Sequence, residues 1–313
     1  MPLRHAVGVL EFGGPEVLQV VEVPVVEPGG ADVLIRVRAA AVNPTDIGLR
    51  SGAHRTRLSG EPPYIPGMDA AGVVERAGEL TGFRPSHRVM AVVSPMRPGG
   101  GAYTELLTVP AAQVAPVPDG ATLEQAATLP MNGLTAKVAL DMLRLEPGQT
   151  FGVTGAAGVL GGYAVALGHH LGLRVIADAA PDDVDLVRSF GADEVVPRGG
   201  GIGAAMRAVV DGGVDGLLDA AVQREAALAA VRDGGRMVSV RRGEVMSERG
   251  IDVQTVRVFD HLDDRAGLEL LHDLAGDGTL ALRVAGTFRP DEAADAHRRF
   301  AEGGVRGRFL NSF

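Results

Sequence analysis

Apolar positions along the chain follow two different rhythms. Toward the N-terminus, short Val-rich runs cover 5–10, 17–23, 33–39, 72–77 and 88–93, and turn residues such as Gly13-Gly14-Pro15 and Pro28-Gly29-Gly30 follow or separate them. Branched side chains sit well on a pleated strand, and Gly and Pro end it, so this texture predicts a small barrel or sandwich. From Thr122 the rhythm changes. Residues 123–129 are helical in composition, and 133–143 carry apolar residues at helical spacing. Strand candidates at 150–154, 174–177, 194–196, 216–219 and 236–240 then alternate with helix candidates at 160–171, 183–190, 204–210 and 224–231. Strict alternation of strand and helix implies crossover connections and therefore a parallel sheet. After Leu282 short strands return, ending at 308–313, with an amphipathic helix over 291–301. The chain reads as α/β: a β-rich domain built from 1–120 and 285–313, with a doubly wound parallel-sheet domain over 121–284 between its two parts.

Composition narrows the class of partner. A length of 313 residues suits two cores better than one. Although 46% of residues are hydrophobic, no run reaches the roughly 20 apolar residues of a membrane span. The start, Met1-Pro2-Leu3-Arg4-His5-Ala6, lacks the pattern of a signal peptide, so cytoplasmic residence is expected. The absence of cysteine removes disulfides, thiolate metal ligands and a thiol nucleophile. A net charge of −9 without any basic run argues against nucleic acid or an anionic membrane as partner. A small-molecule substrate is the expectation.

The most informative stretch is Phe151-Gly152-Val153-Thr154-Gly155-Ala156-Ala157-Gly158-Val159-Leu160-Gly161-Gly162, where a strand runs into a turn and a helix opens beyond it. Gly155 permits the tight turn, Gly158 lets backbone approach a pyrophosphate, and Gly161 lets helix and sheet pack closely. The unpaired N–H groups of the helix start then face the phosphates. Gly155, Ala156, Ala157, Gly158, Val159, Leu160 and Gly161 are therefore the candidate dinucleotide site.

With that turn in view, the chain resembles the medium-chain dehydrogenase/reductase superfamily, in its quinone oxidoreductase (zeta-crystallin-like) branch. Six stretches carry the resemblance: Ala41-Val42-Asn43-Pro44-Thr45-Asp46 with Arg50-Ser51-Gly52; Pro63-Tyr64-Ile65-Pro66-Gly67-Met68-Asp69 with Ala71-Gly72-Val73-Val74; Leu129 to Ala136; Gly155 to Gly161; Gly191-Ala192-Asp193-Glu194-Val195-Val196; and Asp233-Gly234-Gly235-Arg236. The resemblance implies a GroES-like β domain, a Rossmann domain and a C-terminal return, with the active site between the domains. It also implies hydride transfer from a nicotinamide cofactor, and a homodimer is expected. At Ser86-His87 relatives carry Gly-Asp, which reads as a changed turn.

In zinc alcohol dehydrogenases of this superfamily, a cysteine, a histidine and a further cysteine or acid hold the metal. Asn43 stands at the first position, Met68 at the second, and Pro130-Met131 lie near the third. An amide oxygen and a thioether are poor Zn²⁺ ligands, so no metal is expected. Without a Lewis acid the substrate must be electrophilic in itself, which favours a quinone or an α,β-unsaturated carbonyl. Asn43 and Tyr64 are the candidate hydrogen-bond donors to it, against plainer roles as a loop brace and a packed ring. Thr135 is the candidate contact to the nicotinamide side. His54 and the loops over 53–62 and 243–256 are candidates for shaping the substrate site. The alternative from another class is a dinucleotide-binding redox sensor with little catalysis.

Cofactor choice rests on the end of the second α/β strand, Ile176-Ala177-Asp178-Ala179-Ala180. NAD enzymes place an acid there to hold the ribose 2′-OH. Asp178 falls one residue before that position in the resemblance, and Ala179 matches it. Arg198, and Arg306 from the C-terminal return, are candidate grips for a 2′-phosphate. NADPH is the expected cofactor, with NADH the alternative.

Overall fold

The computed structural model describes residues 2–241, 243 and 247–313, which form two compact units. The first comprises Met1–Met131, Leu262–Gly276 and Leu282–Phe313; the second comprises Asn132–His261 and Asp277–Ala281.

In the first unit β1 (Leu3–Val9) and β2 (Leu18–Pro24) make an antiparallel ribbon. The main sheet is built around β3 (Asp32–Ala41), which pairs with β4 (Asp69–Ala77); β5 (Arg88–Val92), β6 (Leu106–Pro110) and β7 (Val114–Pro116) complete this part. Strand β3 alternates over 35–39, where Ile35, Val37 and Ala39 are buried between the more exposed Arg36 and Arg38. Its two ends, Val33-Leu34 and Ala39-Ala40-Ala41, are buried without a break. Gly72 of β4 shows how tightly it is packed: a Cβ there would lie 2.1 Å from the Arg36 carbonyl oxygen. The short helix α1 (Pro44–Arg50) opens with Pro44, whose missing N–H costs nothing in a first turn. Helix α2 (Leu123–Ala126) starts at a Thr122–Gln125 capping box and stops sooner than expected, since the next helix, α3 (Pro130–Leu143), opens on its own proline.

The second unit holds six parallel strands: β8 (Thr150–Thr154), β9 (Arg174–Ala179), β10 (Glu194–Pro197), β11 (Val214–Asp219), β12 (Val231–Ser239) and β13 (Asp252–Thr255). Their order is β10-β9-β8-β11-β12-β13. The chain begins at the centre, works to one edge and returns to fill the other, as in a Rossmann dinucleotide-binding sheet. Helices α4 (Val159–His170), α5 (Val184–Ser189), α6 (Ile202–Val209) and α7 (Glu225–Leu228) provide crossovers. Two expectations change here. The helix over 224–231 shrinks to α7, because Val231 already pairs with Val214. The loop over 243–256 contains β13, and its residues 244–246 lie outside the described residues.

Helix α8 (Arg265–Gly276), not anticipated from the sequence, belongs to the first unit. The C-terminal return supplies β14 (Val284–Phe288), α9 (Ala293–Ala301) and β15 (Arg308–Ser312), and β15 pairs antiparallel with β3. Ser86 adopts φ 72°, a left-handed conformation in which glycine is unstrained, which is the physical content of the changed turn. No helix among the described residues is long and apolar enough to cross a membrane.

Candidate functional site: a phosphate turn and a buried polar core

Ligands of open α/β sheets bind where the strand order reverses, beyond the strand C-termini. In the second unit that point lies between β8 and β11, and the glycine-rich turn follows β8. Gly155 has φ 71°, which permits the sharp exit from the strand. A Cβ at Gly161 would fall 2.2 Å from the Gly155 carbonyl oxygen and 2.7 Å from Ala156 Cα, both rigid backbone atoms. The start of α4 therefore lies directly against the turn. At Gly158 a Cβ would meet a single atom, the Gly155 oxygen, at 3.2 Å. Gly158 is the N-cap of α4 and carries no side chain to cap it. The first-turn N–H groups, at Val159, Leu160 and Gly161, have no partner within the helix and present its positive end to an anion. Ala156 and Ala157 are buried in the turn.

Asp178, at the end of β9, is 2% exposed and turns toward this loop. Its Oδ1 accepts the Ala156 N–H at 3.1 Å, and its Oδ2 accepts from Gln223 Nε2 at 3.3 Å. A carboxylate committed to the turn in this way is a brace. Ala179, its neighbour, offers only a methyl group, also buried. The backbone N–H of Arg198 bonds to the Ala179 carbonyl at 3.0 Å, which fixes Arg198 beside that strand end with an exposed side chain. A second brace lies under β8 and β11. Thr154 Oγ1 donates to Asp219 Oδ1 at 2.7 Å, and Asp219 also accepts the Gln223 and Arg224 N–H groups. The loop carrying Gln223 is strained, with Val222 at φ 56° and Arg224 at φ 53°.

The first unit holds a sealed polar core. Asn43, the N-cap of α1, is fully buried. Its backbone N–H donates to Asp46 Oδ2 at 2.8 Å, and its amide Nδ2 donates to Asp69 Oδ2 at 2.7 Å. Asp69 in turn accepts the Met131 N–H, in the first turn of α3, at 2.6 Å. Asp46 also accepts the Gly67 N–H at 2.8 Å and the Tyr103 hydroxyl at 3.3 Å, and that hydroxyl lies 3.1 Å from His297 Nε2. Burial pushes Asp46 up to about 7 and Asp69 up to about 6, against the bonds that favour their charged forms. Burial, with Arg50 nearby, holds His297 down to about 3, so its ring is neutral. Sequence reasoning missed Tyr103, His297 and Gln223.

The remaining candidates are dispersed. Asn43, expected to face substrate, is enclosed, and its amide N–H₂ bonds inside the core. Tyr64 is partly exposed; its ring stacks on Phe12 at 5.7 Å and its hydroxyl donates to the Gly60 carbonyl at 3.3 Å. Thr135 is nearly buried on α3, and His54 packs over Gly48 of α1. Arg306 is partly buried in the segment before β15. Met68 is fully buried and Met131 nearly so.

Two family models match the chain: an alcohol dehydrogenase GroES-like domain over residues 29–119 and a zinc-binding dehydrogenase domain over 190–310. A quinone oxidoreductase of Sus scrofa is 31% identical over 248 residues, covering 76% of this chain and 73% of that protein. The chain belongs to the medium-chain dehydrogenase/reductase superfamily, in its quinone oxidoreductase branch. A chloroplastic quinone oxidoreductase of Triphysaria versicolor is 35% identical over 206 residues, which is 62% of this chain. The chain spans about three fifths of the length of such plant relatives. Among solved structures, a mycobacterial protein complexed with NADPH superposes with a TM-score of 0.85 at 27% identity, covering 99% of this chain and 100% of that one. The fold and the glycine-rich turn are thus those of a nicotinamide-dependent oxidoreductase family.

Proposed function

We propose that the chain is an NADPH-dependent reductase of quinones or α,β-unsaturated carbonyls that works without catalytic zinc. The observation that carries this reading is the bond from Asn43 Nδ2 to Asp69 Oδ2 at 2.7 Å. It occupies the position from which zinc-dependent relatives present a thiolate. Met68 contributes a buried thioether, and Met131 gives its N–H to Asp69. These residues do not fit Zn²⁺, which takes thiolate, imidazole or carboxylate in a tetrahedral set. The glycine-rich turn, by contrast, fits a dinucleotide, because α4 opens at a glycine that brings no side chain to its first turn.

Bound there, the reduced nicotinamide cofactor supplies the hydride. The chain's own residues bind and orient. The first turn of α4 takes the phosphates, and Asp178 and Asp219 hold the turn and its neighbouring loop in shape. Arg198, exposed beside Ala179, offers a fork of donors to a 2′-phosphate where an acid would reject one. In the first unit, the partly exposed Tyr64 would donate its hydroxyl hydrogen to a substrate oxygen by giving up its long 3.3 Å bond to the Gly60 carbonyl. Asn43 acts one step back, through its hold on Asp69. A few donors suffice for a substrate that is already electron-poor, whereas an isolated ketone needs the polarisation that a metal provides. The names of the quinone oxidoreductase relatives support the same substrate class.

The test is consumption of NADPH against a panel of quinones, enones and simple ketones, with elemental analysis of the purified protein. Turnover of quinones or enones with no stoichiometric zinc is expected. About one tightly held Zn²⁺ per chain, with activity lost to chelator, overturns the reading. Tight NADPH binding without turnover of any acceptor replaces it with a binding protein.

A further inference from the structure

Asp178 lies under the phosphate turn with its charge almost sealed from solvent, at 2% exposure. Among the described residues, the groups that face it come from the turn after β8 and from the ends of β10 and β11. The Ala156 and Gly155 N–H groups donate to it from the turn, and Gln223 Nε2 donates from the loop after β11. Arg198, after β10, attracts its charge, and Asp219, at the end of β11, repels it. One atom in this set is unsatisfied: Gln223 Oε1 is buried and has no hydrogen-bond partner among the described residues. A carboxylate can only accept, so it has nothing to give that oxygen. A protonated Asp178 carries an O–H, and with the Gln223 amide turned over, Oε1 is there to receive it.

A pyrophosphate docking on the first turn of α4 brings further negative charge to a turn that already holds one buried anion and has a second, Asp219, close by. Charges of like sign at such range repel strongly where water is excluded. The least costly relief is a proton on the carboxylate whose neighbour lacks a donor. We propose that binding of a dinucleotide at the glycine-rich turn is coupled to uptake of one proton by Asp178, so that this residue sets the pH dependence of cofactor affinity. The proton comes from solvent on binding and returns to it on release; no other bond changes. The inference rests on the reading that this turn binds a dinucleotide. Burial raises the proton affinity of Asp178 above that of an ordinary carboxylate even before any anion arrives, against the bonds from Ala156 and Gly155 and the pull of Arg198.

The experiment is titration calorimetry of the full chain with NADH, in buffers of different ionisation enthalpy at about neutral pH, which counts protons exchanged on binding. NADH is the first probe because it lacks the 2′-phosphate, which itself titrates near this range. With NADPH the same quantity is read as the difference between wild type and Asp178→Asn, in which the phosphate's contribution cancels. The amide variant preserves an acceptor for Ala156 and can donate to Gln223 Oε1, so the brace survives without its charge. Wild type is expected to take up protons and Asp178→Asn none. The wild-type Kd should weaken as pH rises, approaching about tenfold per unit where Asp178 is ionised in the free protein, while the variant stays flat. Binding by wild type without proton uptake overturns the coupling and needs no variant to show it; equal uptake in Asp178→Asn also overturns it. Failure of wild type to bind either dinucleotide at any pH overturns the reading of the turn itself, and the coupling with it.

Discussion

Gly158→Asp separates the two roles of the glycine-rich turn, because the structure gives opposite signs to its effects on folding and on binding. Gly158 has φ −69° and ψ 170°, ordinary extended values for an N-cap, so aspartate enters without backbone strain. Its Cβ meets only the Gly155 oxygen at 3.2 Å, a contact that closes with a shift of a few tenths of an ångström. Aspartate is a good N-cap, worth a few tenths of a kcal/mol over glycine. Its charge on the helix dipole adds about 0.3–1 kcal/mol. The fold should therefore hold or gain slightly, with Tm unchanged or raised by about 1–4 °C. For a dinucleotide the same carboxylate is an obstacle, since it takes the N–H groups meant for the phosphates and puts a like charge at contact distance. At about 4 Å and an effective dielectric near 20, each pair of unit charges costs about 4 kcal/mol. A loss of that size is about a thousandfold in Kd. Fluorescence titration with NADPH, beside thermal unfolding, measures both quantities on one preparation. Gly158→Ser, which caps without charge, should lose much less affinity. A folded Gly158→Asp that binds within about tenfold of wild type refutes the assignment of the turn.

Three further outcomes follow from other parts of the molecule. Gly161→Ala puts a Cβ 2.2 Å from the Gly155 oxygen with only backbone to move, so thermal unfolding should show a loss of about 1–3 kcal/mol despite alanine's better helix propensity; unchanged stability contradicts the close packing of turn and helix. Asp46, raised to about 7, binds more protons folded than unfolded between the ordinary carboxylate range and that value, so its contribution to stability falls as pH rises through the window. The stability deficit of Asp46→Asn relative to wild type should then narrow from acid to neutral pH, and a constant deficit by denaturant titration at each pH contradicts the sealed core. Arg198→Ala should weaken NADPH much more than NADH; a retained NADPH preference in kcat/KM moves the 2′-phosphate grip elsewhere.

The parallel sheet and the strand–turn–helix unit at 150–162 were legible because their signals are local. Strand, glycine turn and helix occupy one continuous stretch, and the three glycines each answer a different steric demand. The elements that were missed or misjudged lack such local signals. Helix α8 reads as a polar segment with scattered leucines, and only Leu268, Leu271 and Leu274, together with Gly267, are buried. The strand β13 falls in a stretch without the Val and Ile runs of its neighbours, and it gains its identity by pairing with β12. The expected helix over 224–231 has good helical composition, but tertiary pairing took Val231 into a strand.

The candidate site divides along the same line. Asn43 stands in one of the stretches that carry the resemblance, but nothing near it in sequence reveals that its amide reaches Asp69, 26 residues away. Tyr103 meets Asp46 across 57 residues and His297 across 194. Contacts of such range leave no periodicity to read. Asp178 shows the converse. Its position at the end of a strand was evident, and the alternation of a strand already implied that its carboxylate points away from the ribose position taken by Ala179. The sequence could not say what lay on the other side. In the structure that is the turn itself, together with the side-chain amide of Gln223. One residue short of the position at which NAD enzymes place the ribose acid, the Asp178 carboxylate supports the glycine-rich turn, and on the proposed reading its charge acts on the phosphates bound there.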